Sequence, residues 1–439
     1  MLVSFSFANY KSFKDENKIS LVSEMPDAKG EYSVPSPFGY SVLKTLALYG
    51  ANASGKSKLF DAFAFFRSVV CPPRNAKKIP VFDFWKGQYD SFRLSTKSAE
   101  ETSFLEAVFL LGDIQYRYGI EMNANGILEE WLYRKYERET LILSRKVDDD
   151  GDLKMKIGKS FINAKVYSSV VSAGMVSADV PLLTILATFN DSLSKEIVQW
   201  FGQTLVVSAN ELAAPVDALT DEQSRKDIVD FMQAFDFNIE DFAMHEVNPD
   251  SIPDKIRSII GEDALKGTVY DGVSTTHRLY NERYEKVGTR QFLMEMDESF
   301  GTNRLLRLCW PILCALKEGR TLLIDEIDSG LHPFIVSTII RLFYQTANRA
   351  QLIVNTQNTS LLTYPIGYEE GSDDKKYLFR KDQVYIVNKN RYGESNVYPI
   401  THFQRNIRTS LERLYLDGKF TGVPYVELDN VLDIIGHES

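Results

Sequence analysis

Cysteine is scarce in this chain: Cys71, Cys309 and Cys314 are odd in number and form no Cys-x-x-Cys pair. That argues against a disulfide framework or a zinc ribbon and fits a reducing cytoplasm. The five histidines are scattered, with no metal-ligand spacing. No apolar run reaches the ~18–20 residues that span a bilayer. Met1–Phe7 has neither a basic leader nor a cleavage site, so no signal peptide is expected. Basic charge is outweighed, 50 Lys+Arg against 60 Asp+Glu, for a net charge of −10. That argues against a generally basic nucleic-acid coat but leaves room for a local basic groove, because binding depends on distribution. Internal repeats, low-complexity tracts and sustained heptads are also missing, which removes solenoids and coiled-coil arms. The expectation is a soluble, cytoplasmic protein without a membrane partner.

What is present is ordinary globular composition, 44% hydrophobic and 25% charged, over 439 residues. That length suits two or three domains, or one large domain with an inserted lobe. One stretch stands out: Leu48-Tyr49-Gly50-Ala51-Asn52-Ala53-Ser54-Gly55-Lys56-Ser57, then Lys58. It is a glycine, four residues, then Gly-Lys-Ser, with an apolar strand before it (Val42 to Tyr49) and a helix expected behind it (Lys58 to Val70). At average composition such a string arises by chance in roughly one or two of every hundred chains this long. The glycines allow the backbone to turn its N–H groups onto phosphate oxygens. Lys56 can reach the β/γ-phosphates, Ser57 can hold Mg²⁺, and the helix points its positive end at the anion.

Along the chain, Leu2 to Phe7 alternates as a half-buried strand, and Lys18 to Val22 reads as a second. Three strands follow from Phe104 to Leu111, Ile114 to Met122 and Ile127 to Lys135, joined by hairpin-type turns into an antiparallel meander. Residues 178–243 read as helical, with short helices near 180–189, 192–203 and Asp221 to Phe235. The third opens on a capping sequence, Thr220-Asp221-Glu222-Gln223. Strands are expected near 268–279 and 285–294, a helix from Asn303 to Lys317, a strand from Thr321 to Ile324 and a helix from Pro333 to Asn348. Leu352 to Asn355 and Gln383 to Asn388 complete the strands, and 404–417 reads as the last helix.

Leu322-Leu323-Ile324-Asp325-Glu326 is an apolar strand ending in two carboxylates. A core strand that delivers Asp325 at its C-terminal end would put it beside the phosphate loop to hold Mg²⁺, with Glu326 activating water. A solvated acidic turn is the alternative. Ser299-Phe300-Gly301-Thr302, ahead of a helix, reads either as a second anion site or as an N-cap and loop. One phosphate loop has no use for a second anion site on its own nucleotide. The pattern makes sense if two chains face each other and each caps the ATP of its partner. Asp328 to Pro333 stands in the place of a subunit-contacting loop, and Gln351 to Gln357 ends where a γ-phosphate sensor would sit. Gln88 is a weak candidate for a further glutamine contact, an exposed surface glutamine being the alternative. Asn388-Lys389-Asn390-Arg391 lacks the Asp of guanine recognition, which favours ATP.

The order of these motifs resembles the ATPase heads of the ABC class, in the branch with SMC, RecF-like and OLD-type proteins. Within it, the sequence resembles compact ATPases of abortive-infection and phage-defence loci, the RloA/AbiL-like group. Asn9-Tyr10-Lys11-Ser12-Phe13 resembles their opening motif, Gly50 to Ser57 their Walker A and Ser299 to Thr302 their signature. Leu322 to Glu326 resembles Walker B and Asp328 to Pro333 the D-loop. Arg380 to Val384 and Tyr415 to Phe420 resemble late motifs. The resemblance implies an α/β P-loop NTPase head with an antiparallel meander and an inserted, mainly helical lobe: residues 1–175, 176–265 and 266–439. It implies ATP and Mg²⁺ as cofactors, with Gly50, Asn52, Ala53, Ser54, Gly55, Lys56, Ser57, Lys58 and Ser12 on the nucleotide. Ser299 and Gly301 would act in trans, Ser57 and Asp325 on the metal, and Glu326 and Gln357 in catalysis. It further implies a homodimer around a nucleotide sandwich, or a higher oligomer, and a separately encoded effector. Gln357 departs from the family's histidine; it can donate a hydrogen bond but carries no proton charge, which points to slow turnover. A DNA-associated repair ATPase is the competing reading, with Arg304, Arg307 and Arg341 as candidate groove residues; a transporter subunit is more distant.

Overall fold

Residues 209–317, with 328–336, pack mainly among themselves, so the chain divides into two units. The computed structural model describes residues 1–27, 29–72, 85–148, 150–161, 178–209, 215–247, 269–368, 375–403 and 410–423. The first unit comprises Met1–Ser208, Glu318–Ile327 and Ser337–Ser439, and the second Ala209–Lys317 and Asp328–Val336. The first unit thus runs on to Ser208, past the 175/176 division read from the sequence. Helices Leu182–Thr188 and Ser192–Gln203 belong to the first unit because Leu183, Ile197, Trp200 and Phe201 enter its hydrophobic core.

In the first unit a seven-stranded antiparallel sheet carries the expected meander and more. Its order is Leu153–Ile157, Glu139–Val147, Gly126–Lys135, Ile114–Asn123, Ser103–Leu111, Leu2–Ala8, Asn17–Ser20. A six-stranded sheet runs Leu205–Val207, Thr321–Ile324, Gln351–Asn355, Thr45–Tyr49, Val384–Lys389, Ser395–Pro399, with only the last strand antiparallel to its neighbour. Its central strands are fully buried and mostly apolar, as parallel sheets covered on both faces require, with polar residues at their ends. The short strands at 205–207 and 395–399 leave little periodic signal in the sequence.

The helix Lys56–Val70 buries more than the single face read from the sequence. Leu59, Phe60, Phe63 and Phe66 are buried, but so are Ala62, Phe65, Val69 and Val70. Phe63 meets Phe5 edge-on at 5.1 Å, Phe66 stacks on Tyr118 at 5.8 Å, and Phe65 stacks on Tyr10 at 5.3 Å. Such ring pairs add on the order of 1 kcal/mol each beyond the area they bury. Gln351, wholly buried, ties the two sheets together. Its Oε1 accepts from Leu2 N at 2.6 Å and Thr321 Oγ1 at 2.9 Å, while Nε2 donates to the carbonyls of Leu2 and Leu43.

The second unit contains a three-stranded antiparallel sheet, Asp241–Val247, Val269–Tyr280 and Lys286–Leu293. Helix Glu222–Ala234 begins as its sequence indicates: Asp221 is the N-cap and accepts from Ser224 N at 2.9 Å. Helix Phe300–Glu318 begins three residues earlier than expected, which puts Ser299 directly at its N-terminus. Of the last expected helix, Leu411–Leu416 is seen; 404–409, like the acidic tail with Glu427, Asp429 and Asp433, lies outside the described residues. Among the described residues, no helix is long and apolar enough to cross a membrane.

Candidate functional site

The strand Thr45–Tyr49 is buried on both faces and ends at Gly50, where the chain turns sharply into the helix at Lys56. A Cβ on Gly50 would lie 2.2 Å from the Val387 carbonyl oxygen, so only glycine fits. Gly55 has φ 112°, and a Cβ there would meet Ser395 Oγ at 2.5 Å and Ser12 Oγ at 2.9 Å. Ala53, at φ 61°, stands exposed with Asn52 at the loop tip. Lys56 is buried, and its Nζ donates to the carbonyls of Gly50 at 2.7 Å and Ala51 at 2.9 Å, folding the ammonium into the loop. Ser54 Oγ is buried with no hydrogen-bond partner among the described residues. An orphaned hydroxyl, a lysine across the loop and a backbone closed to any Cβ have the chemistry of an anion cradle, and a phosphate group fits that donor set.

Asp325 arrives as the sequence indicates, at the end of the strand Thr321–Ile324, and is buried. Ser57 Oγ donates to its Oδ1 at 3.0 Å. That hydroxyl–carboxylate pair is a donor set suited to Mg²⁺, which takes one or two protein oxygens and completes its shell with phosphate and water. Asn355, wholly buried at the end of the neighbouring strand, was not singled out from the sequence. Its Nδ2 donates to Asp325 Oδ1, and its Oδ1 accepts from Glu326 N at 2.7 Å. Glu326 has φ 49°, a left-handed conformation costing roughly 1–2 kcal/mol for a residue with a side chain. The Asn355 bond holds that conformation in place. Gln357 is exposed at the end of the same strand, after Thr356, whose N donates to the Leu48 carbonyl at 3.1 Å.

The opening motif reaches the loop through a residue that sequence reading missed. Ser395 N donates to the Ser12 carbonyl at 2.7 Å, and Ser395 Oγ lies 2.7 Å from the Ser54 carbonyl and 2.9 Å from Ser12 Oγ. Asn9, buried with φ 48°, anchors the turn by donating to the carbonyls of Ser98 and Glu101 and accepting from Phe92 N. Lys58 is exposed and pairs with Asp61 at 3.3 Å, an acid it shares with Lys11. Gln88 is exposed on the short turn Lys86–Gln88. The two late motifs divide. Tyr415 packs on Tyr49 and donates to the Gly422 carbonyl at 2.9 Å, and Gly422 lies against Gly50. Arg380 and Asp382 instead clamp the segment Ser23–Pro26, while Gln383 donates to Thr45 at the opposite end of the loop-bearing strand. That motif is structural.

Ser299 and Gly301 belong to the second unit. Ser299 Oγ accepts from Thr302 N at 3.1 Å, so the N-cap reading of this serine is correct as local structure. A Cβ on Gly301 would lie 2.7 Å from the Gly330 carbonyl, and Gly330, at φ 72°, packs under the Phe300 ring. The signature-like turn and the Asp328–Pro333 loop are therefore built against each other. His332 Nδ1 accepts from Phe334 N at 3.2 Å, a local capping bond. Arg304 is 2% exposed, which removes it from any solvent-facing basic groove.

A family model described as "AAA domain, putative AbiEii toxin, Type IV TA system" matches residues 46–363 of the 439. The chain is similar to the SMC head domain from Thermotoga maritima at 14% identity and TM-score 0.39, over 91% of this chain and 98% of that one. A similar likeness is to an Smc head bound to the C-winged helix domain of ScpA, at 13% identity and TM-score 0.38, over 94% and 99%. Another is to an Smc head with an extended coiled coil bound to the C-terminal domain of ScpA derived from Pyrococcus furiosus, at 14% identity and TM-score 0.34, over 96% and 99%. No curated protein matches.

Proposed function

The chain belongs to this AAA family, and from that premise we propose that it is a Mg²⁺-dependent ATPase completed by a second copy of itself. The observation that carries the reading is the chain of bonds from Ser57 to Asp325, on to Asn355, and from Asn355 to the backbone of Glu326. The loop N–H groups and Lys56 bind the phosphates, Lys56 exchanging two backbone carbonyls for phosphate oxygens. Ser57 and Asp325 would hold Mg²⁺, whose chemistry there would be neutralisation of phosphate charge. Glu326 orients the attacking water and accepts its proton, and Gln357 donates to the γ-phosphate. Ser299 and Gly301 act on the nucleotide of the partner chain. Positioning and charge neutralisation, not covalent chemistry, do the work.

The family description supports a place in a toxin–antitoxin or abortive-infection system. We assign the protein there as a cytoplasmic, nucleotide-gated sensor or scaffold of the RloA/AbiL-like kind, acting through a separately encoded effector. The DNA-repair reading loses one of its three candidate arginines with the burial of Arg304. Salt-dependent DNA binding in the presence of ATP would restore it.

Glu326→Gln tests the chemistry: turnover should fall about 100-fold or more while ATP still binds. Unchanged turnover would sink the assignment. Mixing Lys56→Ala chains with Ser299→Arg chains tests completion by a second copy. Partial recovery of activity is expected, and none would refute action in trans.

A further inference from the structure

The turn that presents Ser299 is not held by its helix alone. Glu298, immediately before the serine, directs its carboxylate back into the three-stranded sheet. Thr275 Oγ1 donates to Glu298 Oε1 at 2.5 Å, and His277 Nε2 lies 2.6 Å from the same oxygen. The two sheet residues are also 3.1 Å from each other, and the His277 ring stands edge-on to Phe292 at 5.3 Å. Thr275 is wholly buried and the Glu298 side chain is 12% exposed, so little water competes for that oxygen. Hydrogen bonds to a carboxylate in such surroundings are among the stronger ones, and shielding from water strengthens them. Backbone contacts complete the fastening. Asn303 Nδ2 donates to the carbonyls of Met294 at 2.9 Å and Ser299 at 3.1 Å, and Leu293 N donates to Asp297 Oδ2 at 2.7 Å.

We propose that Glu298 is a positioning residue: gripped by Thr275 and His277, it sets where Ser299 meets the nucleotide of the partner chain. This rests on the reading that Ser299 acts in trans. Thr275 and His277 lie on one strand, two residues apart, and so face the same side of the sheet. A rotation or slide of that strand therefore moves the carboxylate, and with it the serine one residue on. The sheet thereby becomes part of the composite site without touching nucleotide. A displacement on the order of 1 Å at a positioning group costs about 100-fold in rate.

The test uses the mixture of full-length Lys56→Ala and Ser299→Arg chains, in which one composite site works. That site takes its signature turn from the Lys56→Ala chain and its phosphate loop from the Ser299→Arg chain. Glu298→Ala is added to one chain at a time, and Thr275→Val is tested the same way as a milder variant. Placed on the chain that supplies the signature, either change should lower ATP turnover at least about tenfold, with KM for ATP changed less than kcat. On the chain that supplies the loop, the same change should leave turnover within about twofold, because that chain's signature is already disabled. Equal loss in both arrangements would mark a merely structural residue, and no loss in either would show that the grip is idle; both overturn the proposal. If the starting mixture recovers no activity, action in trans itself has failed and the proposal falls with it.

Discussion

Replacing Asn355 should separate fold from chemistry at the centre of the site. Its side chain makes two bonds that no other residue of the strand can make: one to the Asp325 carboxylate and one, at 2.7 Å, from the Glu326 N–H. Asn355→Ala removes a charge-assisted bond, worth about 1.5–3 kcal/mol, and an ordinary one of about 1 kcal/mol. A loss of about 2–4 kcal/mol in unfolding free energy is expected, measurable by urea titration. The same change frees Glu326 from the bond that holds its φ of 49°. Turnover should then fall about 100-fold, while ATP affinity stays within about threefold because the loop from Gly50 to Ser57 is untouched. Asn355→Asp makes the second arm. It keeps an acceptor for Glu326 but faces Asp325 with a like charge, so the pair holds a proton more tightly folded than unfolded. Stability of that variant should therefore rise as pH falls through the carboxylate range. Turnover within about threefold of the parent in a folded, destabilised Asn355→Ala protein would refute the claim that Asn355 aims Glu326.

Gly55→Ala should cost about 2–3 kcal/mol and abolish nucleotide binding, since φ 112° is strained for alanine and the new Cβ meets Ser395 and Ser12; thermal melting and nucleotide titration read both. Glu130 is wholly buried, accepts from Tyr118 and from the N–H groups of Leu182 and Leu183 at a helix start, and faces Arg145 across the strand pair. Glu130→Ala should destabilise by about 3 kcal/mol, leaving that arginine buried without its acid, yet leave ATP affinity unchanged in the folded fraction. Glu240 is held by Arg278 and then Lys286, which lower its carboxyl to about 2. The folded value lies below the unfolded one, so its contribution is present above about pH 4.5 and fades as pH falls toward 2. Amide protection factors in the strands 269–280 and 286–293, with the intrinsic pH dependence of exchange divided out, should fall over that window, and Glu240→Gln should remove the effect.

Legibility followed how local the physics was. Gly50, Gly55, Lys56 and Ser57 declare themselves because a phosphate loop is one continuous turn whose glycines and lysine sit at set spacings. The fully buried strands 45–49, 321–324 and 351–355 show as short apolar runs for a similar reason: a parallel strand covered on both faces has few polar positions. Asp221 was readable as a cap because capping involves residues three apart. Ser395, Asn355 and Gln351 were not, since each acts on residues at least 29 positions away and nothing beside them in the chain records the partner. The Arg380–Val384 motif was legible as a pattern yet its place was not, for the structure sets it at the end of the strand Thr45–Tyr49 away from the Gly50–Ser57 loop.

The amino-acid sequence by itself therefore determined the nucleotide loop, the acidic strand end and the α/β class, because each is written in backbone conformation and hydrophobic period over a dozen residues or fewer. Tertiary structure alone decided which polar side chains complete the site. It brought Ser12 to Gly55 through Ser395, tied the Glu326 backbone to Asn355, and gripped Glu298 between Thr275 and His277. Those are long-range hydrogen bonds formed where burial makes an unmet donor or acceptor expensive, and burial exists only after the sheets have packed.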